Sequence, residues 1–428
     1  MTSEYHSATE PDGVTYVRCG NRRASVCPSC SAEYKGDLWH LLVAGTTGGK
    51  GVPDAIRSHP LVFVTVTAPS FGAVHRAGKP GRPSQMCRPR DAKHSCEHGR
   101  PQWCSRRHDA EGSIVGQPLC TDCYDYRGHI IWQWWAPELW RRFTIRLRRL
   151  LAIHLRVSEK ACRHLVRVQF AKVAEFQQRG LVHFHGLVRL DGPPDSGDDW
   201  PAPLIDVSAE QLAALIEQAA SEVEYLTPED GLELPALVLR FGTQVDARIV
   251  HELAPESDGG QGDLRAETVA TYIAKYATKS ADDLTSGRER SSPHLTRVRD
   301  TIDDLAAAAT RETPDCDDPA PVAPYARLAK WVHMLGFRGH FGTKSRHFST
   351  TLGELRQARR EWKTNSTDTR PDSLLERRAD EATDEVLVIG SWRFAGMGWL
   401  TNGDAALAAD AAARARERRI ANAATKAA

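Results

Sequence analysis

Two short stretches hold side chains whose types and spacing suit phosphate chemistry. In LVHFHGLVRL (181–190), His183 and His185 are two residues apart. On a β-strand successive side chains alternate faces, so the two imidazoles point the same way and make half of a divalent-metal site. In ATYIAKYATKS (270–280), Tyr272 and Tyr276 are four apart and share one face of a helix. Each is followed three residues later by a lysine, Lys275 and Lys279. A phenol has an ordinary pKa of about 10, and metal and ammonium charge nearby favour its phenolate. Phenolate attack on a DNA phosphate gives a phosphotyrosine bond that keeps the linkage energy and frees a 3′-hydroxyl. Two tyrosines on one face permit a second transfer from the same site.

These groups need elements to hold them. Residues 165–176 and 181–190 are strand-like runs joined by QQRG, which predicts a β-hairpin. A turn centred near Arg179 puts Glu175 opposite His183 on the same face. Glu, His and His form a mixed oxygen and nitrogen site suited to magnesium or manganese; Gln177 is a weaker alternative ligand. A helix is expected over about 264–280, carrying the tyrosines. SHPLVFVTVTAPS (58–70) reads as a further strand, and 236–251 as a strand pair. PELWRRFTIRLRRLLAIHLR (137–156) reads as a helix with Pro137 in its first turn. Ser208 and Gln211 make a capping box for a helix to about 223.

Ten cysteines are the strongest signal in the composition, and eight precede residue 124. In a chain with no secretory signal they point to metal rather than disulfides. Cys27 and Cys30, with Cys120 and Cys123, are two CxxC knuckles that suit a structural zinc ion, with Cys19 able to replace one member. Cys87, Cys96, Cys104 and His108 suit a second ion, with His98 as a competitor. Residues 72–128 are rich in Gly, Pro, Cys and His and have little periodicity, so metal is the expected staple.

Composition narrows the class. Net charge is +1, yet residues 137–179 hold 11 Lys/Arg against 3 Asp/Glu, and 192–263 hold 16 Asp/Glu against 2 Arg. The basic block suits a phosphate backbone, with Arg141, Arg142, Arg146, Arg148 and Arg149 as contacts. Lys344 and Arg346 in GHFGTKSRHFST (339–350) are further candidates. Trp132, Trp134 and Trp135 could stack on unpaired bases. The acidic block is expected away from DNA. No run approaches the ~18 apolar residues of a membrane span, and the polar N-terminus is no secretory signal, so a cytoplasmic protein is expected. The expected layout is a flexible tail (1–16), a Cys/His-rich zinc region (17–57 and 71–130), and a catalytic core (58–70 and 131–299) with an acidic insertion at about 191–263. A linker (300–323) and a C-terminal module with a helical tail (324–428) follow.

The motifs resemble those of the HUH endonuclease superfamily. FVTVT (63–67) resembles its first strand motif, HFHGL (183–187) its metal motif and YIAKYATK (272–279) its double-tyrosine motif. Together with CGNRRASVCPSC, PLCTDCYDY, ELWRRFTIRLRR and GHFGTKSRHFS, they are similar to RepSA-type rolling-circle initiators of actinomycete plasmids and integrative elements. The resemblance spans about residues 17–400. It implies an α+β fold, with an antiparallel ferredoxin-like palm and flanking helices around which the zinc region is inserted. It implies metal ligation by His183 and His185, nucleophilic roles for Tyr272 and Tyr276, and assistance from Lys275 and Lys279. Single- and double-stranded origin DNA, a host helicase and a polymerase are the expected partners. A transposase or relaxase would share the chemistry, although a relaxase more often has a third histidine in this motif. A zinc-dependent DNA-binding regulator would explain the cysteines but leave YIAKYATK without a purpose.

Overall fold

The computed structural model describes every residue except 1–5, 11, 25, 79–85, 90–94, 110–111, 194–198, 230–235, 252–263, 277–291, 312–323, 368–390, 392 and 428. The chain divides into two compact units, Arg22–Gln357 and, separately, Met1–Asn21 with Ala358–Ala428. Helices are α1 (Pro28–Thr47), α2 (Tyr126–His154), α3 (Glu159–Cys162), α4 (Ala209–Glu222), α5 (Ala266–Tyr276), α6 (Pro293–Arg311), α7 (Leu352–Thr367) and α8 (Asn402–Ala427). Strands are β1 (Leu61–Val66), β2 (Arg167–Phe176), β3 (Val182–Asp191), β4 (Tyr225–Leu226), β5 (Val238–Leu239), β6 (Val245–His251), β7 (Leu264–Arg265) and β8 (Gly342–Lys344).

The main sheet runs β7-β6-β1-β3-β2-β8, antiparallel except for the β6–β7 pair. The fold is therefore mixed α+β around an antiparallel sheet. Period-2 alternation sorts its side chains into two cores. Val62, Val64, Val66, Phe184, Val188 and Leu190 join α2, α4 and α6 on one face. Leu61, Phe63, Ala171, Val173 and Leu187 join α1 and α5 on the other. The β2–β3 hairpin closes through Gly180, which donates to the Gln177 carbonyl (2.8 Å) with φ +84°. A Cβ there would also stand 2.9 Å from Leu295 and 3.0 Å from Leu335, so turn and packing both call for glycine.

Several elements differ from the sequence expectations. Helix α2 begins eleven residues before Pro137, at Tyr126, capped by the Asp125 side chain, which accepts from the Gly128 amide (2.7 Å). An interior proline costs about 3 kcal/mol. Burial of Ile130, Ile131, Trp132 and Trp134 offsets it, at roughly 1.5–3 kcal/mol per large side chain. The acidic stretch is no peripheral insertion: it supplies β6, next to β1, and α4, which covers the sheet. The expected 236–251 strand pair splits, because β5 pairs with β4 and β6 with β1. Residues 300–311, expected as linker, are the second half of α6. Leu295, Val298, Ile302, Leu305, Ala306 and Ala309 form its buried stripe, while Asp300, Asp303 and Asp304 face outward. Residues 339–350, expected within a C-terminal module, put β8 at the edge of the main sheet against β2.

Candidate active site

The hairpin register pairs Glu175 with His183, as the eight-residue spacing predicts. Glu175 Oε2 lies 2.8 Å from His183 Nε2 and 2.9 Å from His185 Nε2, and the two imidazole nitrogens are 3.1 Å apart. Three ligand atoms thus converge on one point. An octahedral ion bound at about 2.1 Å has neighbouring ligand atoms about 3.0 Å apart, so the spacing fits a small hard cation with open positions left for phosphate or water. The cluster sits at the edge of the core: Glu175 and His183 side chains keep 16% and 17% of their exposure and His185 only 3%. Burial pushes the Glu175 carboxyl up, but hydrogen bonds and charge from both histidines outweigh it and hold the group down, to about 2. Burial lowers the His185 pKa, so the neutral, metal-ligating form is favoured.

Residues that the spacing alone does not reveal complete the surroundings. Thr65 Oγ1, on β1, lies 3.0 Å from His185 Nδ1 and fixes the imidazole from behind. When Thr65 accepts the Nδ1 proton, Nε2 presents a bare lone pair to the centre of the cluster, as second-shell partners of metal-bound histidines do. Phe63 stacks on His185 at 5.7 Å between ring centroids. Helix α5 brings the Tyr272 ring to 5.3 Å from His185 and 6.2 Å from Phe63, both edge-on, and leaves the residue 42% exposed. Trp39 of α1 donates to Thr271 Oγ1 (3.1 Å) and ties α5 down one residue before that tyrosine. Lys275 and Tyr276 lie on the last turn of α5, and Lys279 lies outside the described residues.

The other candidate contacts divide. Arg141 and Arg142 both donate to Glu138, Arg146 pairs with Glu222, and Arg149 with Glu159. These arginines ride on α2, which packs on the sheet face opposite His183 and His185. Arg148 is exposed, and partial desolvation lowers its pKa. Lys344 is turned inward: its Nζ donates to the carbonyls of Ser345, Arg346 and Ser349, at 3.4, 3.1 and 2.8 Å. It is thus a staple for the turn after β8 rather than a displayed cation. Arg346 opens the short 3-10 turn Arg346–Phe348. Trp132 and Trp134 are core residues, with Trp132 Nε1 donating to the Arg240 carbonyl (2.8 Å). The Arg338 guanidinium covers the faces of Trp134 and Trp135, at 4.7 and 4.3 Å from their ring centroids, so none of the three is displayed for base stacking.

The cysteines group differently from the knuckle pairing expected along the chain. His75, Cys87, Cys104 and His108 form one cluster; Cys96, His98, Cys120 and Cys123 form another. Cys27 occupies the N-cap position of α1, Cys30 lies in its first turn, and neither joins Cys120 and Cys123. Cys19 belongs to the smaller unit. His75 had no sequence signal, because no other ligand type lies within ten residues of it. Among the described residues, no helix is long and apolar enough to cross a membrane.

Residues 1–413 match the RepSA family model, described as replication initiator protein, pSAM2. A curated replication initiator protein of Streptomyces ambofaciens is 38% identical over 408 residues, covering 95% of this chain and 81% of that protein. No solved structure matches. The extent of both matches shows that the chain belongs to the RepSA family of replication initiators.

Proposed function

We propose that this initiator nicks one DNA strand at a plasmid or integrative-element origin, using a tyrosine nucleophile beside a divalent cation, and so starts rolling-circle replication. The observation that carries the reading is the convergence of Glu175, His183 and His185 on one point with the Tyr272 ring 5.3 Å from His185. Glu175, His183 and His185 would hold magnesium or manganese, which when bound offsets the charge that builds on the phosphate oxygens. Tyr272, the tyrosine that touches His185, is the first nucleophile in this reading, and Tyr276, one turn further on, the second. The Tyr272 phenolate oxygen bonds to phosphorus, the bond from phosphorus to the 3′-oxygen breaks, and that oxygen takes up a proton. The products are a 5′-phosphotyrosine and a free 3′-hydroxyl, which a host polymerase extends once a helicase has opened the duplex. Lys275 and Lys279, each three residues after a tyrosine in the sequence, would supply positive charge to offset that building on the phosphate. In this reading the clusters around Cys87 and Cys120 hold structural zinc and take no part in cleavage.

The test mixes the full chain with single-stranded origin DNA and manganese, then resolves products on a denaturing gel. A covalent protein–DNA adduct is expected with wild type, and none with the Tyr272→Phe, Tyr276→Phe double variant. Tyr272→Phe alone should abolish the first adduct while Tyr276→Phe retains it. No adduct with the correct origin would refute strand nicking, and an adduct in the double variant would refute the nucleophile.

A further inference from the structure

The two cysteine–histidine clusters interleave along the chain. His75 and Cys87 come first, then Cys96 and His98, then Cys104 and His108, then Cys120 and Cys123. The first and third pairs make one cluster, and the second and fourth make the other. We propose that the segment from His75 to Cys123 is a cross-braced module holding two zinc ions, in which each ion closes the loop that carries half of the other's ligands. The ions are then bound interdependently, and losing one loosens the other.

The donor atoms support zinc. One set is two thiols and two imidazoles, the other three thiols and one imidazole, and within each set all four atoms lie within 4.8 Å of one another. Cys87 Sγ is 3.6 Å from His75 Nδ1, Cys104 Sγ 3.4 Å from His108 Nε2, and Cys123 Sγ 3.1 Å from His98 Nδ1. A tetrahedral zinc site, with bonds of about 2.3 Å to sulfur and about 2.05 Å to nitrogen, has sulfur–nitrogen edges of about 3.5 Å. All five cysteines are unbridged. On loading each gives up its proton to become a thiolate.

Burial supplies the second argument. Between residues 73 and 123 the described core contains five buried apolar side chains, Cys87, Cys104, Val115, Pro118 and Cys120, and three of these are ligands. Among the described residues there, strand pairing is limited to isolated bridges, Val74 with Pro118, Arg88 with Cys104 and Ser95 with Pro101. So little apolar burial cannot offset chain entropy of roughly 1–2 kcal/mol per ordered residue, and two metal crosslinks can. The module also has something to hold. Its Gly116, at φ +85°, donates to the His75 carbonyl (2.8 Å) and lies so close to the β2–β3 turn that an added Cβ would stand 2.5 Å from Gln178. The braced loop therefore backs the hairpin that carries Glu175 and His183.

Zinc counting on the full-length chain tests this. In a His183→Ala, His185→Ala background, so that the hairpin centre adds nothing, inductively coupled plasma mass spectrometry should find two zinc ions per chain after passage over chelating resin. Adding His75→Ala or His98→Ala should each remove more than one ion, and Cys27→Ser should remove none. Two ions surviving both histidine variants, or zinc lost on Cys27→Ser, would overturn the ligand sets. Loss of one ion with the other retained at the wild-type chelation rate would overturn the interlock. Zinc-edge X-ray absorption on the background protein, with the module's own residues intact, avoids any folding defect. It should give about 2.5 sulfur and about 1.5 nitrogen ligands per zinc. About 3.5 sulfurs, as the knuckle pairing along the chain requires, would refute the proposal.

Discussion

One face of β3 carries two histidine–carboxylate clusters, and the difference between them separates a structural ion pair from a reactive centre. At the far end Asp191 accepts from Arg189 Nε (2.7 Å) and Nη2 (2.8 Å), and lies 2.8 Å from His59 Nδ1. Arg189 also donates to the carbonyls of Gly45 and His347. Both charges are fully buried, and the guanidinium answers the carboxylate. Burial pushes the Asp191 carboxyl up, but Arg189 and His59 outweigh it and hold it below its ordinary value. At the near end Glu175 meets His183 and His185, but no Arg or Lys is paired with it among the described residues. There a cation from solution can take the place that Arg189 occupies inside the first cluster.

The largest expected effect comes from breaking the closed cluster. Arg189→Met leaves Asp191 as a buried charge without its main partner, which should cost about 3–5 kcal/mol of stability in urea unfolding. Manganese should not restore it. A loss under about 1 kcal/mol would put Asp191 in contact with water and dissolve the contrast. The open cluster should behave the other way. Manganese at one hundred times its dissociation constant should stabilise the wild-type chain by about 2.7 kcal/mol, read as a rise in the urea midpoint. His185→Ala should abolish that rise. An equal rise in the variant would place the ion elsewhere.

The contrast also marks what could be read from the sequence. The hairpin and its Glu175–His183 register were legible because a Gly-containing turn and two alternating strands leave little freedom. The position of Tyr272 on a helix followed from four-residue spacing. The role of Thr65 did not, because β1 joins β3 only through the sheet, 120 residues apart in sequence. Pairing of the cysteines was illegible for a related reason: a CxxC knuckle supplies half a site and carries no record of its other half. Pro137 misled differently, since a proline suits a first turn and only the packed tryptophans upstream show that the helix has already begun.

A third buried charge lies on the other face of the same hairpin. Lys172 is 3% exposed, with Nζ 4.4 Å from the Phe184 ring centroid and 5.7 Å from that of Trp140, and no carboxylate pairs with it among the described residues. Burial drives its pKa from 10.5 down to about 7. Its folded value lies below the unfolded one, so the unfolded chain takes up the proton first as pH falls. The destabilisation is absent above about 10.5, grows between 10.5 and 7, and is complete below 7. Lys172→Met should therefore stabilise the protein by on the order of 1–3 kcal/mol at pH 7, and by little at pH 10.5. A pH-independent gain would assign the effect to packing rather than charge.

The smallest effect sharpens the open cluster. Thr65→Val keeps the shape of β1 but removes the hydroxyl 3.0 Å from His185 Nδ1. The Nδ1 proton then loses the Thr65 hydroxyl as acceptor, and the preference of Nε2 for the lone-pair form weakens. Loss of such a partner costs about tenfold to a hundredfold in metal affinity. Thr65→Val should raise the manganese concentration for half-maximal adduct formation by about tenfold, while saturating manganese restores the wild-type yield. Thr65→Ser, which keeps the oxygen, should sit close to wild type. A defect that saturating manganese cannot repair would mean that Thr65 acts on the DNA or on Tyr272, and not through the imidazole.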